Sequence, residues 1–170
     1  MKFKARILPD LMEDMMRYVR LDLTDKFNSS QKPYFNHDTM QKFINEMLEK
    51  DSNSVDKFPV VYMRPDYIED YNTGDSRVLY NATIELYIIH RTEPIYKVGN
   101  RYEEVFKPIL YPIYEALMYR LKHYAGFTFN YEHSKQDLLQ WGLNNENFVN
   151  EYIDAIHLTN MTLGVMKTNC

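Results

Sequence analysis

The segment from Val78 to Ile89 alternates between two sets of side chains with a period of two. Successive side chains of an extended strand point to opposite faces of a sheet, so the alternation predicts one long strand. One face would carry Val78, Tyr80, Ala82, Ile84, Leu86 and Ile88, and the other Leu79, Asn81, Thr83, Glu85, Tyr87 and Ile89. We expect this strand to lie in the middle of a sheet.

Three further segments favour strands. Residues 58–63 are β-prone, and Pro59 confines that end to a sheet edge or to the start of a strand. Residues 127–131 predict a short strand. Residues 152–167 predict a longer one, in which Met161, Leu163 and Val165 share a face with Ile156 and Leu158 only if a bulge intervenes near Asn160.

Two amphipathic helices are predicted in the first fifty residues. From Pro9 to about Val19, apolar residues recur at spacings of three and four, and Pro9 suits a first helical turn. A second helix begins after Asn36 or Asp38, either of which can cap it, and stops before Asp51. Its apolar face consists of Met40, Phe43, Ile44, Met47 and Leu48.

The longest predicted helix lies between the two long strands and ends at Gly126. Its apolar side is formed by Tyr102, Val105, Phe106, Ile109, Ile113, Leu117, Leu121 and Tyr124. Pro108 and Pro112 lie inside it, and each removes a backbone donor and crowds the carbonyl four residues earlier. We expect a kink or a fresh helix start near Pro108, as a packing device.

Three polar stretches predict connections. Residues 25–33 carry turn formers without periodicity. Residues 64–77 contain Pro65, Gly74, two tyrosines and four acids, and we expect a long, mobile arm that projects from the body. Residues 132–150 predict a polar loop pinned by Trp141. The acids of the arm are Asp66, Glu69, Asp70 and Asp75, and its tyrosines are Tyr67 and Tyr71.

These elements predict an α+β fold. We expect an antiparallel sheet of about four strands, packed against a long helix in the C-terminal half and two shorter N-terminal helices. The 170 residues fit one domain, residues 1–170, with the arm at about 64–77.

Composition narrows the class of protein. Fifteen tyrosines and nine phenylalanines serve equally as core and as interface residues, and their number alone does not separate the two uses. The single cysteine, Cys170, allows no intramolecular disulfide, which favours a reducing compartment.

The N-terminal residues lack an apolar signal core, and no apolar run has the length of a membrane span, so we expect a soluble, unexported product. A net charge of −4 gives no overall electrostatic reason to bind nucleic acid.

The sequence predicts no catalytic, cofactor or metal site. The five glycines are scattered singly, unlike those of a phosphate-binding loop. The nearest approaches to metal pairs, His37-Asp38 and Glu132-His133, lack a second ligand at helical spacing. The serines lack a glycine-framed nucleophile turn. Arg120, Lys122 and His123 form a basic cluster able to touch an anion, although ordinary surface charge is the favoured interpretation.

Four segments resemble a protein family. They are Lys57-Phe-Pro-Val-Val, the strand from Tyr80 to Ile89, Arg101-Tyr-Glu-Glu-Val-Phe-Lys-Pro-Ile-Leu-Tyr-Pro-Ile-Tyr114, and Trp141-Gly with the stretch from Tyr152 to Leu163. In this order they resemble neck and tail-completion proteins of phages of Bacteroides-like hosts, related in layout to tail terminators and head-to-tail connectors. The third segment is the most specific, and the likeness covers roughly the C-terminal two-thirds of the chain.

The resemblance implies a virion structural protein without enzyme activity. Its copies would form a six- or twelve-fold homo-oligomeric ring in the neck or tail, contacting portal, neck or tail proteins, with DNA passing through without specific binding. The chain would be made in the host cytoplasm and would not contact a membrane. The alternative function is a monomeric intracellular binding or adapter module with the same fold.

The residues supply candidate subunit-interface sites for that role. They are the basic N-terminal tip with Lys2, Lys4 and Arg6, the arm residues Asp66, Tyr67, Glu69, Asp70, Tyr71 and Asp75, and the loop residue Trp141. Each has a plainer interpretation: the tip as a frayed terminus, the arm as a flexible loop, and Trp141 as a core anchor. If the four acids of the arm bind basic groups of a neighbouring subunit, electrostatic attraction would steer assembly. Contacts of the two tyrosines would then stabilise the interface.

Overall fold

Two long antiparallel strands, β4 (Val78–Arg91) and β7 (Ile153–Met166), form the centre of the structure. The structure is a computed structural model that describes residues 7–39, 42–43, 45–46, 58–140 and 152–167. Each of the two strands has fourteen residues, and they pair along almost their whole length. The predicted central strand over 78–89 is therefore confirmed.

Five short strands flank this central pair. The strands β2 (Val60–Met63) and β3 (Ile68–Asp70) follow one another along the free side of β4. On the other side, β5 (Phe127–Phe129) and β6 (Ser134–Leu138) both pair with β7. The first strand of the chain, β1 (Tyr34–Asn36), pairs in parallel with β2, and every other pairing is antiparallel.

The prediction of an antiparallel sheet of about four strands is wrong, because the sheet is mixed and has seven strands. The missed strands are β1, β3 and β6, which have three to five residues and, apart from Asn36 at the end of β1, are only partly buried or exposed. Such segments carry too little apolar alternation to predict a strand, and they form by hydrogen bonding to strands already in place. For the same reason the loops predicted over 64–77 and 132–150 are wrong at β3 and β6.

The first helix, α1, is longer than predicted and runs from Leu8 to Asp25. Its apolar face continues to Leu23, and Asp22 is buried there because the guanidinium of Arg120 binds its carboxylate. Because the charged residue Asp22 interrupts the apolar pattern, the sequence predicted that the helix ends near Val19. Of the second N-terminal helix, only four residues are described; Lys42, Phe43, Asn45 and Glu46 are helical, and the others lie outside the described residues.

A continuous helical rod spans 98–123 and contains both prolines. It comprises α2 (Val98–Arg101), a π-helical segment (Tyr102–Leu110) and α3 (Tyr111–His123). Of the predicted kink or fresh helix start near Pro108, the fresh start does not occur at the proline: the chain stays helical there, and α3 begins three residues later, at Tyr111. Instead, the helix widens, and the Tyr111 N–H donates to the Phe106 carbonyl five residues earlier. The wider turn changes the position of the proline ring relative to the carbonyl that it would obstruct in an α-helix.

The helix α1 and the helical rod cover one face of the sheet and enclose the main core with it. From the helices, the core includes Met12, Met15, Met16, Phe106, Ile113 and Leu117; from the central strands it includes Ile84, Leu86, Ile88, Ile156, Leu158 and Leu163. A bulge at Thr159 and Asn160 lies opposite Glu85, and Asn160 has a φ of 56°. The predicted bulge is thus confirmed, and it keeps Met161 on the core face.

The opposite face of the sheet divides into two parts. At one end a smaller apolar cluster includes Phe43, Phe58, Val60, Tyr62, Ile89, Ile153 and Ala155. Over the rest of the face, β4 and β7 present Asn81, Thr83, Glu85, His157, Thr159 and Thr162, all partly or fully exposed. This polar half of the sheet borders β3.

A buried ion pair links the rod to the central strands. Arg101 Nη1 lies 2.9 Å from Asp154 Oδ1, and the two side chains are 2% and 0% exposed. The same guanidinium donates to the Thr92 hydroxyl and to the Tyr96 carbonyl, and the Gln140 N–H donates to Asp154. One pair therefore holds the start of the rod, the turn before it and the start of β7 together.

We expect Asp154→Ala to lower the free energy of unfolding by about 3–5 kcal/mol, because it leaves a buried guanidinium without its counter-charge. Urea unfolding followed by circular dichroism measures the change. The matched control is Asp66→Ala, which breaks an exposed arginine–aspartate pair and should cost at most about 1 kcal/mol. Equal losses in the two variants would contradict the role assigned to the buried pair.

Candidate assembly surface

Residues 64–77, which we call the acidic segment, are held against the sheet at three points. At its start, Arg64 Nη1 lies 3.1 Å from Glu85 Oε2, and the Arg64 N–H donates to the Glu85 carbonyl. In its middle, β3 pairs with Asn81–Thr83 of β4. At its end, the Val78 N–H donates to the Asp75 carbonyl. The predicted projecting arm is therefore a surface strand with turns on either side.

The four acids of the segment fall into two classes. Asp66 pairs with Arg64 at 2.6 Å, and Asp75 pairs with Arg77 at 2.9 Å. The hydrogen bonds from these arginines lower the pKa of both carboxyls. Glu69 and Asp70 accept instead from neutral donors, the Tyr71 hydroxyl at 2.7 Å and the Asn72 N–H at 2.9 Å.

No cation of the described chain lies within ion-pair distance of Glu69 or Asp70. Both side chains are exposed on β3. The acidic segment thus carries two negative charges that no neighbouring cation within the described residues offsets.

Apolar groups accompany these two charges. Ile68 is 70% exposed and Tyr71 is 65% exposed, with the Tyr71 ring 5.4 Å from that of Tyr80. The outer edge of β3 pairs with none of the described strands. An edge strand with free backbone groups, an exposed aliphatic side chain and an exposed aromatic one has the properties of a protein-binding surface. Tyr67 differs, because it is partly buried against the main core.

A cluster on the polar face of the sheet anchors the segment. Glu85 accepts from the Tyr87 hydroxyl at 2.7 Å and from His157 Nε2 at 2.5 Å, in addition to its pair with Arg64. The Tyr87 and His157 rings stack with centroids 4.2 Å apart. Partial burial raises the pKa of Glu85, but the hydrogen bonds from Tyr87 and His157 and the charge of Arg64 outweigh burial and lower it.

Sequence reasoning missed this anchoring cluster. Its members come from the acidic segment, β4 and β7, and His157 lies 72 positions after Glu85. The available signal was Glu85 itself, the one acidic side chain of β4, on the outward face of that strand. That pattern predicts solvent exposure, whereas the structure places three side chains around the Glu85 carboxylate.

The remaining predicted interface residues, Lys2, Lys4, Arg6 and Trp141, lie outside the described residues. Within the described part of the chain, no group of three or more histidine, cysteine, aspartate or glutamate side chains is placed to hold a metal ion. No helix in that part is both long and apolar enough to cross a membrane.

Comparison of the chain with protein-family models, with curated proteins and with solved structures finds no match. The resemblance to phage neck and tail proteins therefore stays a prediction, and the case for function depends on the chemistry of this surface.

Glu85→Gln should make the stability of the protein less dependent on pH. The pKa of Glu85 is lower in the folded state than its ordinary value of 4.5, so its contribution is present above that pH and is lost as the pH falls through the folded value. At pH 7 we expect the variant to be about 1 kcal/mol less stable than the natural sequence, with a smaller difference at pH 3. Urea unfolding from pH 7 to pH 3 measures both curves.

The control is Thr159→Ala, which removes an uncharged side chain from the same face. Its effect on stability should be the same at each pH. A difference between Glu85→Gln and the natural sequence that grows towards low pH would contradict the assigned sign.

Proposed function

We propose that this chain is a phage virion structural protein, one subunit of an oligomeric ring that joins head and tail in the neck or tail. The observation that carries the proposal is the acidic segment. On one surface it combines an exposed isoleucine, an exposed tyrosine, two carboxylates that no cation of the described residues offsets, and a strand edge that none of the described strands pairs with. The resemblance of four segments to neck and tail-completion proteins supplies the biological setting.

The physical properties of this surface favour repeated association of identical chains. A ring forms when one surface of a subunit binds a different surface of the next and the rotation closes. Exposed strand edges promote such contacts, while charged side chains on the edge strand prevent non-specific pairing with the strands of other proteins. The two free acids would steer approach to a basic surface, and Ile68 with Tyr71 would supply the buried area.

The proposed partners follow from the resemblance. The ring would be six- or twelve-fold, with portal, neck or tail proteins above and below it. The chain's net charge of −4 opposes adhesion to phosphates, which suits a passage for DNA. The protein would be made in the host cytoplasm and would end in the virion.

Reversing the two free acids tests the proposal. Glu69→Lys with Asp70→Lys should weaken self-association by at least about tenfold, because cations would then face the basic surface of the neighbour. Sedimentation velocity over a concentration series and negative-stain electron microscopy measure association and ring formation. Point variants are preferable to deleting 67–75, because Tyr67 packs on the core and β3 belongs to the sheet.

The matched control is Glu103→Lys with Glu104→Lys, which reverses two adjacent exposed acids on the helical rod. This variant should associate like the natural sequence. If the natural chain stays monomeric at every concentration, and also with its portal and tail partners present, the ring is excluded and the adapter function takes its place.

A further inference from the structure

A second charged surface lies where α1 and α3 end, and tyrosine rings are interleaved with its cations. Lys26 Nζ lies 3.9 Å from the ring centre of Tyr119, and Lys122 Nζ lies 4.7 Å from that of Tyr131. The Arg120 guanidinium lies 5.4 Å from the ring centre of Tyr18. We call this surface the basic–tyrosine patch: Lys26, Arg120 and Lys122 with Tyr18, Tyr119 and Tyr131.

The patch carries more positive than negative charge. Its cations share one carboxylate, that of the buried Asp22, which binds both Arg120 and Lys26. These two hydrogen bonds outweigh the effect of burial and lower the pKa of Asp22. No carboxylate of the described chain lies within ion-pair distance of Lys122. Two positive charges are therefore not offset within the patch.

The patch also presents aromatic area to solvent. Tyr18 is 43% exposed and Tyr131 is 41% exposed. A cation resting on a tyrosine face is partly desolvated and oriented before any partner arrives, which lowers the entropic cost of binding. The pattern of Arg120 and Lys122 in the sequence is that of ordinary surface charge, but in the structure each cation lies over a tyrosine ring.

The patch and the acidic segment lie at opposite ends of α1. The Tyr80 hydroxyl lies beside the backbone of Leu8, at the start of α1, and the Tyr80 ring centre lies 5.4 Å from that of Tyr71 in the acidic segment. Lys26 directly follows the other end of the helix. Eighteen residues of α-helix span about 27 Å, so the two surfaces of one molecule do not meet.

We propose that the basic–tyrosine patch of one copy receives the acidic segment of the next copy. This inference rests on the proposed self-association and names the surface that receives the segment. Glu69 and Asp70 supply the two negative charges that the patch lacks, and Tyr71 and Ile68 pack against the exposed tyrosines. Because the two surfaces differ and lie at opposite ends of α1, the contact is heterologous and repeats from copy to copy.

A single-stranded nucleic acid is the competing occupant, since cations beside aromatic rings also suit phosphates and bases. The chain itself favours the second copy. It carries the complementary charges on its own surface, and its net charge of −4 repels a polyanion. Binding of nucleic acid is therefore an outcome that the experiment must distinguish.

The test uses two variants with reversed charges. The first, Glu69→Lys with Asp70→Lys, has a basic segment and an intact patch; the second, Lys26→Glu with Lys122→Glu, has an intact segment and an acidic patch. Each alone should associate at least about tenfold more weakly than the natural chain, because like charges meet. Mixed in equal amounts, they should associate again, because opposite charges then meet at every contact.

Native mass spectrometry with one variant isotopically labelled measures composition, and sedimentation velocity measures affinity. We expect oligomers that contain equal numbers of the two variants, with an affinity within about threefold of the natural chain's. The matched control is the mixture of Glu103→Lys/Glu104→Lys with the patch variant. The former should associate with itself, and its oligomers should not contain the patch variant in equal numbers. Lys26→Glu places a carboxylate near Asp22, so Lys26→Gln with Lys122→Glu is the second patch variant, and thermal unfolding checks that each one folds.

The outcomes separate the two proposals. If the natural chain does not associate at all, the ring function and this inference both fail. If it associates and the acid reversal weakens it, but the mixture gives no rescue, the patch is not the receiving surface, although the ring function stands. If the patch variants associate normally and lose binding to a fluorescent single-stranded oligonucleotide, the patch is a nucleic-acid surface and this inference is overturned.

Discussion

The pairing of β4 with β7 is the interaction on which the rest of the structure depends. These two strands present one apolar face to α1 and the helical rod, and their outer edges supply the hydrogen-bonding groups that β2, β3, β5 and β6 require. Short polar strands such as β3 and β6 have no stability of their own. The surface proposed for assembly therefore exists only because two long strands are already paired beside it.

The bulge in β7 connects this central pair to the candidate surface. Two residues, Thr159 and Asn160, oppose the single residue Glu85, which keeps the apolar side chains of β7 on the core face beyond that point. Glu85 is then surrounded by Tyr87, His157 and Arg64. Because Arg64 begins the acidic segment, the bulge in the central pairing lies beside the anchor of the surface proposed for assembly.

The arrangement of charge along α1 gives the molecule a direction. Among the described residues, two carboxylates without cation partners lie near its first residue, and cations in excess of carboxylates lie near its last. The buried Asp22 fixes Arg120 and Lys26 in place, so the basic surface is ordered before any contact. A molecule with two different, complementary ends is suited to head-to-tail repetition. A self-complementary surface would instead form a closed dimer.

The amino-acid sequence by itself determined the elements in which the spacing of apolar residues shows which face is buried. These are β4, β7 with its bulge, α1 and the long rod. It also marked residues 64–77 as acidic and exposed. Tertiary structure alone decided β1, β3 and β6, the π-helical widening at Pro108, and the pairs Arg101–Asp154 and Asp22–Arg120, whose partners are 53 and 98 positions apart. The physical reason is the same throughout: a short polar strand or a buried charge is stabilised by groups distant in sequence, and no local pattern contains them.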